Sequence, residues 1–267
     1  MDRARRVVRV TSNRGAPRRP PREPSRSSPW DESACRGPPK SRTLPLVSDA
    51  VAPVRVKPRL RGVSHELAFY AAILATLILV MCSAPGLPRL AGGVYGGSLV
   101  LLFGTSALYH RPMWAPAARA RMRRADHAAI FVLIGGSYAP LGLLALPTDV
   151  GHRLLGLVWT GCALGVVKSL FWAHAPRWIT VAIYVTVSWA AALELPALGR
   201  VLGPPRTALL LGGGVCYSVG ALVYARRRPD PSPAVFGYHE IFHMLVIVAA
   251  ALQFGAIASV ILSTPGG

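Results

Sequence analysis

Long apolar stretches fill the chain from residue 63 onward, and they limit its fold more than any other feature. A helix needs about 20 residues to cross the hydrocarbon core of a bilayer. Turn residues, such as Gly-Pro-Pro at 203–205, divide this region into segments of about that length. We therefore predict an all-α, polytopic membrane protein with a bundle of seven transmembrane helices. The predicted spans are approximately 64–84, 90–110, 126–146, 153–172, 178–197, 206–225 and 240–262.

Charged residues are distributed unevenly along the chain. Residues 1–62 contain 16 of the 30 Lys and Arg residues, whereas the remaining 205 residues contain only 14 basic and six acidic side chains. Charged residues make up roughly a quarter of a soluble domain, so the low charged fraction of these 205 residues excludes a soluble globular protein. We predict a disordered basic tail rich in Arg, Pro and Ser over 1–56, for which we expect no nucleic acid partner, and a membrane domain over 57–265.

The positions of Lys and Arg also predict the orientation of the helices. If the N-terminus is cytoplasmic, the loops on that side carry ten basic residues and the opposite loops carry four. Basic loops are retained on the cytoplasmic side. We therefore expect the N-terminus inside and, because the number of spans is odd, the C-terminus outside.

Ionisable residues at the ends of three predicted spans form the candidate site. His110 ends the second span, Asp126 opens the third, and His239 and His243 lie at the start of the seventh. Because successive spans run in opposite directions, these ends face the same side of the membrane, the cytoplasmic side in the expected orientation. Ionisable groups are costly inside a bilayer and mark functional sites.

The spacing of these residues predicts a zinc site. His239 and His243 are four residues apart, so both imidazoles lie on one helix face. With His110 they supply three nitrogen ligands and leave a fourth position open, as in catalytic zinc sites. Asp126 is then placed to accept a proton, and Ser106 lies four residues before His110 on the same face. We predict Asp126 and Ser106 as the catalytic residues.

Two other interpretations of the histidines stay open. Histidines at a membrane interface can keep an apolar body in lipid and a polar edge in water without binding a metal. The segment from His239 to His243 also has the H-E-x-x-H spacing of zinc metalloproteases, in which Glu240 would be the base. No His, Asp or Glu follows it to supply a further ligand. His65 and His127 are additional candidates on the same side.

Several motifs of this chain resemble those of a known family. They are Lys-Pro-Arg-Leu-Arg-Gly (57–62), Ser-Ala-Leu-Tyr-His-Arg (106–111), Arg-Ala-Asp-His-Ala-Ala-Ile-Phe-Val-Leu-Ile-Gly-Gly-Ser-Tyr-Ala-Pro (124–140), Gly-Gly-Gly-Val-Cys-Tyr-Ser-Val-Gly-Ala (212–221) and Gly-Tyr-His-Glu-Ile-Phe-His (237–243). In this order they resemble the haemolysin III proteins, the bacterial branch of the progestin and adipoQ receptor (PAQR) family. The resemblance covers roughly residues 57–262.

The resemblance implies a zinc ion near the cytoplasmic face of a seven-helix membrane protein. Its ligands would be His110, His239 and His243, with Asp126 contacting the metal-bound water and Ser106 beside the site. The wider superfamily includes alkaline ceramidases, which implies a zinc-dependent hydrolase of a lipid amide or ester, with membrane lipids as partners, in a bacterial plasma membrane. The alternative is a non-enzymatic cytolysin, pore-former or receptor-like membrane sensor in which the zinc is structural.

Overall fold

The computed structural model describes residues 58–172 and 175–266, so the predicted tail over 1–56 lies outside the described residues. Within those ranges the chain is almost entirely helical, and an isolated bridge between Ser232 and Phe236 is the sole β pairing there. The α-helices are α1 (Val63–Cys82), α2 (Leu87–His110), α3 (Pro116–Pro140), α4 (Thr148–Phe171), α5 (Arg177–Ser188), α6 (Leu195–Arg226) and α7 (Tyr238–Ser263).

Six helical segments of the described residues are long and apolar enough to cross a membrane. Four of them are α1, α2, α4 and α7, and a fifth is α3 with its continuation to Ala145. The predicted fifth and sixth spans lie together in one segment, Trp178–Arg226, which is 49 residues long. The multi-pass helical membrane fold is thus supported, with two of the predicted spans joined.

This joined segment is interrupted at two places. After α5 the chain forms a 3-10 turn at Ala190–Glu194, and α6 starts directly behind it. Inside α6 the backbone leaves the helical conformation at Gly203, which has φ 71° and ψ 169°. Glycine tolerates a positive φ, and the two prolines that follow disfavour a continuous helix. The turn predicted at 203–205 is therefore present as a kink.

The third membrane helix is longer than its apolar pattern predicts. It starts at Pro116, instead of near residue 126, and continues after Pro140 as a π-helical turn at Leu141–Ala145. Proline suits the first position of a helix, and the Ala, Arg and Met residues that follow are strong helix formers. The residues between Pro116 and residue 126 are too polar to be predicted as part of an apolar span. The basic residues between 119 and 124 are consequently on a helix and not in a loop.

The outer surface of the bundle is apolar. On α1, Leu67, Leu74 and Met81 are spaced seven residues apart and are 67%, 61% and 78% exposed. Soluble monomers rarely expose apolar stripes of this size. Such a surface is stable when it faces lipid, in agreement with the lengths of the helices.

Helix α7 organises the packing of the bundle. It contacts α1, α2, α3 and α6, and its residues Ala249, Ile257 and Ile261 are completely buried. Its sequence after residue 243 carries no charged side chain, so burying this helix requires no charge compensation. The packing brings the start of α7 next to the end of α2 and the start of α1. We call this region the site end of the bundle.

Candidate metal centre

His110, His239 and His243 converge at the site end. One ring nitrogen from each lies within 4.8 Å of those of the other two, and Nε2 of His110 is 3.1 Å from Nε2 of His239. His110 and His243 are buried, and His239 is half-buried. The structure therefore brings together the three histidines that the sequence predicted as ligands.

The geometry of these nitrogens fits a tetrahedral metal ion. Zinc binds imidazole nitrogen at about 2.0–2.1 Å, which places two nitrogens of one tetrahedral ion roughly 3.3 Å apart. The Nε2 atoms of His110 and His239 are already near that spacing at 3.1 Å. The ring nitrogen of His243 lies within 4.8 Å of both of them. Three imidazoles in a mostly buried site are a donor set that can hold a divalent transition metal.

The start of α7 fixes two of these histidines. Gly237 precedes the helix, and its backbone N–H donates a hydrogen bond of 2.9 Å to Oε2 of Glu240. This contact is half of a capping box, which satisfies a backbone donor that the first turn of a helix leaves unpaired. His239 and His243 then follow on one face of a helix whose first turn is secured.

Glu240 is fully occupied by this structural role. The residue is 3% exposed, and its second oxygen, Oε1, is 2.6 Å from Nε of Arg61. A general base must reach the reacting water or proton, whereas both carboxylate oxygens of Glu240 contact other groups. The arrangement argues against the metalloprotease interpretation of residues 239–243.

The segment that leads into α1 packs directly on the site. Gly62 caps α1 with φ 81°, a left-handed conformation, and a Cβ atom at this position would lie 2.7 Å from Cβ of His110. Nearby, Glu66 forms an ion pair of 2.7 Å with Arg111, the residue after His110. The motif at 57–62, which the sequence offered only as part of a resemblance, thus supports a metal ligand.

We predict that Gly62→Ala weakens metal binding by about tenfold or more. A left-handed conformation costs an L-residue roughly 1–2 kcal/mol, and the added methyl group would force His110 to move. Chelator competition on the purified protein measures the effect. The matched control is Gly93→Ala on α2, where an added Cβ meets nothing within 4 Å. Equal affinity of the Gly62→Ala variant and the wild type would contradict this role.

Asp126 and Ser106 form a second polar group, which begins one helical turn before His110 on α2. Ser106 is 3% exposed. Its hydroxyl donates a hydrogen bond to the carboxylate of Asp126 on α3. The two residues predicted as catalytic are therefore in contact with each other. Their roles in a reaction stay predictions.

The two remaining candidates take different positions. His127 is outside the three-histidine group, and its backbone carbonyl accepts a hydrogen bond of 3.1 Å from the hydroxyl of Tyr184. No signal in the apolar sequence around Tyr184, on α5, predicts this contact. His65 is buried against His243, with the two rings stacked at 3.8 Å between centroids.

Comparisons with known proteins agree with these features. The sequence model of a family described as Haemolysin-III related matches residues 54–254, a range that includes all five predicted site residues. The chain is 28% identical to Hemolysin-3 of Bacillus cereus over 206 residues, which cover 76% of this chain and 91% of that protein. It is 29% identical to the Hemolysin-3 homolog of Bacillus subtilis (strain 168) over 161 residues, covering 60% and 72%. It is also 23% identical to the Monocyte to macrophage differentiation factor of Homo sapiens over 210 residues, covering 76% and 83%.

Proposed function

Because this chain belongs to the haemolysin-III related family, we propose that it is a zinc-dependent integral membrane hydrolase of a lipid amide or ester. The observation that carries the proposal is the group of three histidines within 4.8 Å, at the ends of helices apolar enough to cross a bilayer. A hydrolytic site in that position is within reach of a lipid that moves sideways out of the membrane.

We propose that the bundle has seven crossings. The site end contains the starts of α1 and α7 and the end of α2, so α3 starts there and α4 returns there. The segment Trp178–Arg226 then begins at this end and must come back to it before α7, which takes two crossings. Its 49 residues would extend roughly 70 Å as a helix, enough to cross the ~30 Å hydrocarbon core twice. The kink at Gly203 is the turn between them.

The basic residues then define the proposed orientation. The start of α3 and the end of α6 carry exposed arginines on the same side as the site, among them Arg119, Arg121, Arg226 and Arg227. Since basic segments stay in the cytoplasm, the site end is cytoplasmic, the N-terminus is inside and the C-terminus is outside. The membrane we propose is the plasma membrane of a bacterium.

We propose that His110, His239 and His243 hold the zinc. When bound there, zinc would act as a Lewis acid on a substrate carbonyl and would lower the pKa of a water molecule on it toward about 7. Residues of the chain carry out the proton transfer. Asp126 accepts a proton at its carboxylate from the attacking water, whose oxygen bonds to the carbonyl carbon of the lipid. It then gives that proton to the amine or alcohol that leaves as the C–N or C–O bond breaks. Ser106 holds that carboxylate in place through its hydrogen bond.

A lipid substrate fits the surroundings of the site. The last turns of α2 expose Leu101 and Leu108 by 45% and 49%, next to the turn that carries Ser106 and His110. An acyl chain can lie along such a surface while its amide or ester group reaches the polar residues. A water-soluble peptide would have to cross this apolar boundary at a cost.

The name of the Bacillus cereus relative, Hemolysin-3, favours a cytolytic function as the second candidate. In that function, as in a receptor-like membrane sensor, the zinc would be structural. A pore would need a polar stripe along several helices. In the described residues, Ser98, Ser137 and Ser169 are buried. Each of them donates its hydroxyl to a carbonyl of its own helix. This arrangement leaves no polar groups facing a channel at those positions, so we rank hydrolysis first.

The direct test is release of fatty acid by the purified full-length protein. We expect release from at least one lipid of a panel of ceramides, other N-acyl lipids and phospholipid esters. Removing the metal with a chelator should abolish the release, and adding zinc should restore it. His243→Ala is the control for contaminating enzymes. A zinc-loaded protein without activity on the whole panel would favour the cytolytic or sensing function.

A further inference from the structure

We propose that His65 is a positioning residue that holds His243 in the orientation required to bind the metal. The proposal rests on the metal site of the proposed function and adds to it a residue outside the ligand set. His65 lies in the first turn of α1, and 3% of its surface is exposed. A buried histidine that is not itself grouped with the ligands requires a different explanation.

The first contact is between the two rings. The imidazoles of His65 and His243 are nearly parallel, with 14° between their planes and 3.8 Å between their centroids. Offset stacking of aromatic rings restricts rotation of both side chains. On another side, Phe103 of α2 meets His65 edge to face at 5.1 Å. The ring of His65 is therefore packed between two neighbours and can act as a fixed wall for His243.

The second contact joins His65 to the backbone of the same ligand. Nε2 of His65 is 3.3 Å from the carbonyl oxygen of His243. Because a carbonyl only accepts, Nε2 must carry the proton and donate it, which makes Nδ1 the acceptor nitrogen of this ring. Nδ1 is buried and has no hydrogen-bond partner among the described residues. His65 thus holds both the side chain and the backbone of His243.

A third contact, just before α1, supports the same pairing of helices. Arg61, two residues before the start of α1, forms its ion pair with Glu240. His65, in the first turn of α1, contacts His243, which lies three residues after Glu240 on α7. Residues three apart share one helix face, so the two pairs make a continuous seam between α7 and the start of α1. The seam sets the distance of His243 from α1. The position of His110 is restricted by Gly62, which lies between Arg61 and α1.

Residues that orient metal ligands have measurable effects on metal affinity. Removing such a partner typically costs about 10- to 100-fold in affinity. We expect His65→Ala, which loses the stack and the hydrogen bond, to weaken zinc binding by that range. His65→Phe keeps a flat ring of similar size and loses only the hydrogen bond. We expect its affinity to remain within about tenfold of the wild type.

The experiment compares these two variants with the wild type as full-length proteins. Zinc affinity is measured by chelator competition, and the geometry at the metal is followed by the absorption spectrum of the cobalt-substituted protein. We expect a changed cobalt spectrum in His65→Ala and a spectrum close to wild type in His65→Phe. A general loss of stability would lower the yield of folded protein without changing the cobalt spectrum of the protein that is folded and loaded with metal. His152→Ala, at an exposed histidine, is the matched control and should resemble the wild type.

Each other result would overturn the proposal in a recognisable way. If His65→Ala binds zinc and cobalt like the wild type, His65 has no positioning role while the metal site stands. If His65→Phe is as defective as His65→Ala, the stack is not what holds His243. If His65→Ala does not fold, His65→Phe alone decides, since a loss beyond tenfold contradicts the proposal. If the wild type binds no metal, the proposed function fails first and this inference fails with it.

Discussion

Alanine in place of His243 is expected to lower the zinc affinity of the purified protein by about 100-fold or more. The free energy of zinc binding in structural sites is about 10–16 kcal/mol. Divided among the ligands, this free energy is roughly 3 kcal/mol for each. Since about 1.4 kcal/mol is a factor of ten in affinity, losing one ligand lowers the affinity by about 100-fold. His243 is the most deeply buried of the three histidines, at 2% exposure.

The same loss is expected for His110→Ala and His239→Ala. Metal content per chain and chelator competition measure it, with about one zinc per chain in the wild type. His127→Ala is the control, because this histidine is at the same end of the bundle but outside the group of three. Full occupancy in any of the three variants would remove that histidine from the metal site.

The convergence of the three histidines was predictable from the sequence. The end of a second span and the start of a seventh must face the same side, whatever the orientation of the protein. The i, i+4 spacing of His239 and His243 adds a shared helix face. Neither argument depends on the exact ends of the helices. The sequence therefore predicts correctly that His110, His239 and His243 lie together at one end of the bundle.

The supporting contacts were not predictable in the same way. Arg61 with Glu240, and His65 with His243, depend on how α1 and α7 are rotated against each other. Mean hydropathy defines the length of a span, but it does not define its rotation. The sequence therefore presented Glu240 as a candidate base and His65 as an additional ligand candidate, whereas in the structure both pack across the α1–α7 seam.

The differences in helix boundaries have a related physical cause. A search for apolar runs detects residues that are stable in lipid, and it ends where charges begin. The start of α3 at Pro116 was missed because a helix rich in Arg and Ala forms equally well in water. The kink at Gly203, by contrast, was predicted, since a glycine followed by two prolines disfavours a helix in lipid as well as in water.

Asp126→Asn is expected to lower activity, whereas Glu240→Gln is expected to lower stability. Asp126→Asn keeps the size of the side chain and can still accept a hydrogen bond from Ser106, so we expect the metal to stay bound. An amide cannot accept a proton as a carboxylate does. Loss of a general base lowers turnover by about 100-fold or more, which we expect in the assay of fatty acid release.

Glu240→Gln should leave turnover by the folded protein near that of the wild type and lower its thermal stability instead. The substitution leaves the guanidinium of Arg61, which is 21% exposed, without its ionic partner. Removing one partner of a largely buried ion pair leaves the other charge uncompensated and lowers the free energy of unfolding. The amide oxygen can still accept the hydrogen bond from Gly237, so the cap of α7 is retained. Thermal unfolding of the two variants in the same detergent measures this difference.

The pair of variants also separates the remaining hypotheses. If Glu240→Gln abolishes activity while Asp126→Asn is mild, the segment 239–243 works as in a metalloprotease and the contact with Arg61 must open during the reaction. If neither substitution changes fatty acid release or any lipid phenotype while the histidine variants do, the metal is structural. The contacts of Glu240 with Arg61 and Gly237, at 2.6 and 2.9 Å, lead us to expect the loss of turnover at Asp126 and the loss of stability at Glu240.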